Sequence, residues 1–248
     1  MSFVITSANN PRVASVARLH RRGVRQKEQR TIVEGPQALA MALESGAGIE
    51  LILTLDAPAP GAYAGAETLH VSESAMRRAA GTDHPRGPVG VVAIPDPLLV
   101  EAQDMVVLEG VSDPGNAGTL LRTAAALGMV AAFTAGTVDM WSPKVLRAAA
   151  GAHWLSPPRP VGGLGELHEH DLATVAMVAD DGDPPALALA GSQPVAIIVG
   201  GEAHGLGDAT RVAARRRLTI AMPGGMESLN AAVAGAIAMY ERSRLVAR

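Results

Sequence analysis

Three short strings in the C-terminal half of the chain bring glycine, amide, carboxylate and guanidinium groups together at close spacing. The first is Asp113-Pro-Gly-Asn116-Ala-Gly118-Thr-Leu-Leu-Arg122 and the second Ile198-Val-Gly200-Gly201-Glu202-Ala-His204-Gly205-Leu. The third is Ile220-Ala-Met222-Pro-Gly-Gly-Met-Glu227-Ser228-Leu229-Asn230. Each follows an apolar, strand-like run, and the carboxyl ends of strands are where α/β proteins build ligand sites. In the first string Asn116 suits a helix cap, and Gly118 allows another backbone close by. Arg122 lies inside the following helix, where an arginine normally faces solvent. Its neighbours Leu120, Leu121, Thr123, Ala124 and Ala125 offer it no acid, so its guanidinium could clamp a phosphate or hold a ribose hydroxyl. Gly200-Gly201 exposes main-chain N–H and C=O groups to a ligand. Glu202 has three readings: it orients Arg122, favours a sulfonium cation, or caps the next helix. Ser228 and Asn230 are ordinary helix caps, at a helix start that also offers N–H groups to a ligand. His204 reads as structural, because nothing pairs it with a nucleophile.

The elements that position these strings alternate. Strand Met105–Leu108 leads to a helix from Ala117 to Leu127, then strand Met129–Phe133 and a short helix from Pro143, capped by Ser142. Strands Thr174–Ala179 and Val195–Val199 follow, then a helix from Gly207 to Ala214, strand Leu218–Ala221 and a long helix from Leu229 to about Arg244. In that last helix Leu229, Val233, Ile237 and Tyr240 fall on one face. Strands separated by helices imply a parallel sheet covered on both sides. The N-terminal part alternates too: a helix over Asn10–Arg30, strand Thr31–Glu34, a helix from Pro36 to Ser45 and strand Ile49–Thr54. A loop over Ala57–Gly65, strand Leu69–Val71, a helix capped by Ser72 and strand Gly90–Ile94 complete it. Pro95-Asp96-Pro97 punctuates the chain. The expected domains are 1–96 and 104–248, joined by a linker over 97–103.

Composition narrows the chemistry. With 248 residues, 48% of them apolar, the chain has material for one large domain or two modest ones. Two each of Phe, Tyr and Trp argue against gripping nucleic acid by stacking bases on aromatic platforms. There is no cysteine, which excludes disulfides, thiolate metal sites and cysteine nucleophiles. Methylation at pyrimidine carbon 5, which generally proceeds through a cysteine adduct, is therefore disfavoured. No His and acid cluster has metal-ligand spacing, and neither a Walker A loop nor a G-x-G-x-x-G after a first strand is present. No apolar run is long enough to span a bilayer. Asn9, Asn10 and Pro11 stand where a secretory signal needs apolar residues, so the expected location is the cytoplasm. The net charge is −3, yet Arg12, Arg18, Arg21, Arg22, Arg25, Lys27 and Arg30 cluster near the N-terminus, opposed only by Glu28. Such a segment is a footprint for a polyanion or, more blandly, a solvated helix face.

In this order the three strings resemble motifs 1, 2 and 3 of the SpoU (TrmH-type) branch of the SPOUT RNA methyltransferases. Asn116-x-Gly118-x-x-x-Arg122 carries the first, Gly200-Gly201-Glu202 with Gly205 the second, and Ser228-Leu-Asn230 the third. Ser142-Pro-Lys144-Val-Leu-Arg147-Ala with Gly151-Ala is similar to the stretch between motifs 1 and 2; Ala149 stands where relatives often carry serine. The N-terminal part resembles the small, ribosomal-protein-like α/β RNA-binding domain of rRNA-directed members. It opens with Arg12 to Arg30 and Val33-Glu34-Gly35, and closes with Thr82-Asp83 and Gly87–Gly90.

The resemblance implies an α/β fold with a trefoil-knotted C-terminal catalytic domain, and a homodimer with its active site near the subunit interface. It implies S-adenosylmethionine as cofactor, no metal, and transfer of its methyl group to a ribose 2′-hydroxyl in RNA. Arg122 is then the catalytic residue, with Asn116, Glu202, Ser228 and Asn230 positioning it, the ribose or the cofactor. Thr134, Gly200, Gly201, Glu202, Ile220, Met222, Leu229 and Asn230 would bind the cofactor, and the seven N-terminal basic residues the RNA. A neutral guanidine is costly, so stabilising a developing alkoxide is the physically easier role for Arg122. Large-subunit (23S) rRNA is the first substrate reading, because of the N-terminal domain, and tRNA is the alternative. A non-catalytic RNA-binding ribosome-assembly protein is the alternative of another class.

Overall fold

The computed structural model describes residues 4–56, 63, 65–85, 87–96 and 102–246. Residues 97–101 of the expected linker, and 57–62 and 64 of the expected loop, lie outside the described residues. The chain divides into two compact units: Met1–Asp96 with Trp141–Leu155, and Pro97–Met140 with Ser156–Arg248.

The first unit opens with β1 (Val4–Ile5), α1 (Pro11–Arg18), α2 (Arg22–Glu28) and β2 (Arg30–Glu34). The sequence pattern predicts one helix where the structure has two. Asn10 caps α1 through a side chain that accepts from the Arg12 N–H, but the chain turns at Leu19, whose side chain is buried. The break is held by Arg25, whose Nη1 donates to the Leu19 carbonyl at 2.6 Å. Then come α3 (Pro36–Glu44), β3 (Ile49–Thr54), β4 (Glu67–Val71), α4 (Glu73–Ala80) and β5 (Val89–Ala93). The sheet order is β1-β4-β3-β5-β2, with β3 parallel to β4 and antiparallel to β5. One core gathers Val13, Val16, Leu53, Met76 and Val89; another gathers Val33, Leu39, Ile52 and Val92.

The second unit begins with β6 (Met105–Glu109), α5 (Pro114–Ala126) and β7 (Val130–Phe133). The next helices, α6 (Pro143–Ala149) and α7 (Ala152–Leu155), belong to the first unit, although the sequence reading places them with the second. Leu146 and Trp154 complete the core around Val33 and Ile52. Thr31 donates to the Trp141 carbonyl at 2.7 Å, and Arg147 pairs with Glu34 at 3.2 Å. The chain then returns through β8 (Arg159–Pro160), α8 (Leu164–Glu169), β9 (Ala173–Met177), α9 (Pro185–Ala188) and β10 (Val195–Gly200). It ends with α10 (Asp208–Ala213), β11 (Arg216–Leu218) and α11 (Ala231–Val246).

These strands form a six-stranded sheet of order β11-β9-β10-β6-β7-β8, parallel throughout. Its central strands are apolar and buried up to their last residues, Glu109 and Gly200, as a sheet covered on both faces requires. From β6 the chain winds outward to β7 and β8, then reappears on the other side as β9, β10 and β11. The direction therefore reverses between the adjacent strands β6 and β10, and such a switch point opens a crevice at the carboxyl ends.

Two boundaries differ from the sequence reading in ways that shape this crevice. β11 spans Arg216–Leu218, earlier than the expected Leu218–Ala221. After buried Leu218, the Thr219 N–H turns to the Asp183 carbonyl, and Ile220 and Ala221 leave the ladder. α11 starts at Ala231 rather than Leu229. Its buried face is Ala232, Gly235, Ala238, Met239 and Arg242; Leu229, Val233 and Tyr240 of the expected apolar stripe are exposed. Small residues bring α11 against α5, where a Cβ on Gly235 would collide with Leu120. Among the described residues no helix is long and apolar enough to cross a membrane.

Candidate active site

The loops that leave β6 and β10 at the switch point carry the first two strings. Asp113, not Asn116, caps α5: its Oδ1 accepts from the Asn116 N–H at 2.7 Å. Asn116 thus sits in the first helical turn with its own side chain free to reach across. Its Nδ2 donates to Glu202 Oε1 at 2.7 Å. The other carboxylate oxygen, Oε2, accepts from the Ser112 N–H at 3.2 Å and from Ser112 Oγ at 3.1 Å. Asn230 Nδ2 in turn donates to Asn116 Oδ1 at 3.0 Å. Asn230 Oδ1 then caps α11, accepting from the N–H groups of Ala232 and Val233 at 2.9 and 3.2 Å.

The order of these bonds follows from donor and acceptor chemistry. An ionised carboxylate only accepts, so Asn116 must present its NH₂ to Glu202 and its carbonyl to Asn230. Asn230 must then present its own carbonyl to the helix N–H groups. Burial raises the Glu202 pKa, but donors outweigh it: Asn116, the Glu202 backbone and Ser112 pull it from 4.5 down to about 2. Glu202 is therefore a fixed negative charge at neutral pH.

Gly200 and Gly201 owe their identity to packing. A Cβ on Gly200 would strike the Gly205–Leu206 backbone, and one on Gly201 the Gly110 carbonyl. The Gly205 N–H closes the turn onto the Gly201 carbonyl at 2.9 Å. These glycines therefore let three stretches of backbone approach one another, and both also line the cleft where they are expected to meet a ligand.

A cleft of about 440 Å³ opens beside this turn, within the size range of small-molecule sites. Gly200, Gly201, Glu202, Ile220, Met222, Leu229 and Asn230 line it, with Ser228 and Ala231. Thr134 is not among the lining residues; its N–H donates to the Leu108 carbonyl at 3.0 Å. Asn116 joins the site through its bonds to Glu202 and Asn230. Arg122 stands exposed on α5, outside the lining, and no hydrogen bond or ion pair engages it among the described residues. The sequence reading does not include one wall, Met177, Val178 and Ala179, because these apolar residues carry no glycine or polar group to mark a site. It also missed Ser112, although a hydroxyl beside the Asp113 cap was there to be noticed. Among the described residues no group of three or more His, Asp and Glu is placed to hold a metal.

Residues 104–240, which contain all of this site, match the model of the SpoU rRNA methylase family. The chain belongs to that family. Residues 10–90 match the MRM3-like substrate binding domain. The SpoU relatives include the 23S rRNA (guanosine(2553)-2′-O)-methyltransferase RlmP of Bacillus subtilis (strain 168). It is 31% identical over 242 residues, which cover 95% of this chain and 97% of that protein. An AdoMet-bound rRNA methyltransferase from Sinorhizobium meliloti superposes with a TM-score of 0.87 at 25% identity, covering 98% of each chain. An RNA 2′-O ribose methyltransferase superposes with a TM-score of 0.82 at 32% identity, covering 99% of this chain and 100% of that one.

In the first unit of this SpoU protein, the expected RNA-binding residues separate into distinct groups. Arg12 pairs with Glu67, Arg18 with Glu28 at 3.6 Å and Arg30 with Glu50 at 2.9 Å. Arg25 is 3% exposed and holds the α1–α2 break, so its guanidinium is turned into the fold and not toward a polyanion, unlike the expected RNA contact. Arg21, Arg22 and Lys27 are exposed, and no ion pair engages them among the described residues.

Proposed function

We propose that this protein transfers the methyl group of S-adenosylmethionine to a ribose 2′-hydroxyl of large-subunit ribosomal RNA. The observation that carries the reading is the bonded chain Ser112–Glu202–Asn116–Asn230, which joins all three strings at the rim of one cleft. The cleft suits the cofactor chemically. Its apolar walls, Val178, Ile220, Met222 and Leu229 among them, accept an adenine and a methionine chain, and ionised Glu202 favours a sulfonium. When bound, S-adenosylmethionine supplies an electrophilic methyl group. Backbone at Gly200, Ile220, Met222 and Leu229 holds and orients it. Ser228 and Asn230 present polar groups at the same rim. Arg122 steadies the negative charge that develops on the ribose oxygen, together with a nearby phosphate. The substrate class rests on the relatives' names and on the match to a substrate-binding domain, and the cytoplasm is the location we propose for the reaction.

Two copies pair, on this reading, through the exposed apolar residues Val233 and Tyr240 of α11, with Leu229 just before the helix at the cleft rim. Sedimentation equilibrium checks this, and a mass of one chain at every concentration overturns it.

The test of function is methyl transfer from labelled S-adenosylmethionine to separate pools of tRNA, small-subunit rRNA and large-subunit rRNA. Label is expected in large-subunit rRNA and retained as a 2′-O-methyl nucleoside after digestion. Label in tRNA alone would replace the substrate, and label in no pool despite cofactor binding would overturn the catalytic reading.

The RNA grip is tested at the exposed cations. Arg21→Glu with Arg22→Glu is expected to weaken rRNA binding and to lower the slope of log K against log salt by roughly 1.4–1.8, as for two lost phosphate contacts. An unchanged slope returns these residues to a solvated helix face. Reversal at Arg25 would report on folding instead.

A further inference from the structure

We propose that Ser112 is a positioning residue for methyl transfer: its N–H and hydroxyl together occupy one oxygen of Glu202, which leaves the other for Asn116 and so fixes the amide orientation that reaches Asn230. The inference rests on the function proposed above and adds a residue that none of the three strings contains.

Glu202 sits on an exposed turn after β10. A lone carboxylate there would sample several rotamers. Three donors hold it instead, two from Ser112 at 3.2 and 3.1 Å and one from Asn116 at 2.7 Å. Ser112 can give both donors because it lies in the turn between β6 and the Asp113 cap, where the N–H belongs to neither strand ladder nor helix. The two donors converge on Oε2, so Oε1 alone faces Asn116. If Glu202 rotated away, the Asn116 amide would have no reason to keep its carbonyl toward Asn230, and the α11 cap at the cleft rim would lose its register. Ser112 therefore acts on Asn230 through two intervening side chains and three successive hydrogen-bonded links, without lining the cleft itself.

Within two residues of Ser112, Asn116, Glu202 and Asn230 in sequence, the other titratable groups are Asp113 and His204. Asp113 is engaged by the Asn116 N–H, and His204 is exposed on the same turn as Glu202. Ser112 gives its hydroxyl to Glu202, so replacing it addresses that carboxylate. The sign is fixed: donors to the ionised form hold the Glu202 pKa down at about 2. The bonded arrangement is present above 4.5 and lost as pH falls through that lower value. Removing a donor moves the loss upward in pH.

The experiment compares Ser112→Ala and Ser112→Thr with the unaltered protein. Carbon-13 NMR of the Glu202 side-chain carboxyl reads its titration without cofactor or RNA, and methyl transfer to large-subunit rRNA reads kcat. Ser112→Ala is expected to raise the titration midpoint and to lower kcat about 10-fold, as for one hydrogen bond to a charged group, with the fold retained by circular dichroism. Ser112→Thr, which keeps the hydroxyl, is expected to restore both. An unmoved midpoint in Ser112→Ala overturns the proposal, and so does a raised midpoint with unaltered kcat. An unaltered protein that methylates no RNA counts against the proposed function itself, and the titration then decides separately whether Ser112 holds Glu202.

Discussion

Replacing Arg122 by alanine is expected to lower methyl transfer to large-subunit rRNA by about 10²–10³-fold, the usual cost of removing one donor aimed at a developing oxyanion. Binding of S-adenosylmethionine is expected to stay within about twofold, because such a donor acts on charge that exists only in the transition state. Three observations separate these effects. Arg122 is exposed and lies outside the cleft lining, so its loss removes no wall from the cofactor site. The packed face of α5 is Ala117, Gly118, Leu120, Leu121 and Ala124, so the helix keeps its contacts. Alanine is also the best helix former, so α5 itself is not weakened. Isothermal titration measures the cofactor and a filter assay the methyl transfer. Arg122→Lys, which keeps the charge but loses the planar fork, is expected to fall between the two proteins. Normal methylation by Arg122→Ala would remove Arg122 from the chemistry and leave Glu202, Asn116 and Asn230 as a binding arrangement only.

What the chain discloses without coordinates depends on how local each cause is. Ser72 and Ser142 announce their helices because a hydroxyl followed by a helical run is a local signal, and both accept from the expected N–H groups. The strands β6 and β10 are equally legible as β-branched apolar runs. The strand order is less so: β9 and β10 are consecutive in the chain, but β6 and β10 become neighbours only by a return across the sheet that leaves no mark on spacing. The Met177–Ala179 wall of the cleft is silent for another reason, since its residues are apolar and resemble any strand end. Asn116 was read as a cap because its type is right; Asp113, three residues earlier, is better placed and takes that role, which releases Asn116 for Glu202. Arg25 illustrates the reverse error. In a run of basic residues it looks like one more phosphate contact, yet it is buried and bonded to the Leu19 carbonyl. Burial of a single arginine depends on tertiary packing, which charge patterning does not report. Of the apolar stripe Leu229–Tyr240, Val233, Ile237 and Tyr240 do lie on α11 while Leu229 precedes it, but the small residues Ala232, Gly235 and Ala238 form the buried face, and helical spacing alone does not say which of two faces turns inward.

Arg242 provides the largest expected effect on stability. It is 1% exposed, and its fork is nearly filled. Nε donates to Asp104 Oδ2 at 2.8 Å, Nη1 to the carbonyls of Leu189 and Gly191 at 2.8 Å each, and Nη2 to that of Gln193 at 2.9 Å. Asp104 Oδ1 accepts from the Val195 N–H at 2.8 Å. One guanidinium thus ties the end of α11 to the entry of β6 and to the connection that leads into β10, the two strands flanking the switch point. Arg242→Met would fill much of the volume but leave the Asp104 charge and three inward carbonyls without their donor. Breaking one side of a buried pair costs about 3–5 kcal/mol. For a chain of this size that corresponds to a melting temperature lower by about 6–20 °C, read by calorimetry. Arg242→Lys keeps a charge but lacks the fork, so most of the loss is expected to remain. Arg242 is 12 residues beyond Asn230, about 18 Å along the helix. Below the melting transition, the folded fraction of Arg242→Met is therefore expected to keep the Glu202 titration and the cofactor affinity of the unaltered protein. A variant that melts normally would show that the four bonds add nothing over solvent. A variant that melts normally yet loses cofactor affinity would instead make α11 a mechanical link from this buried fork to the cleft.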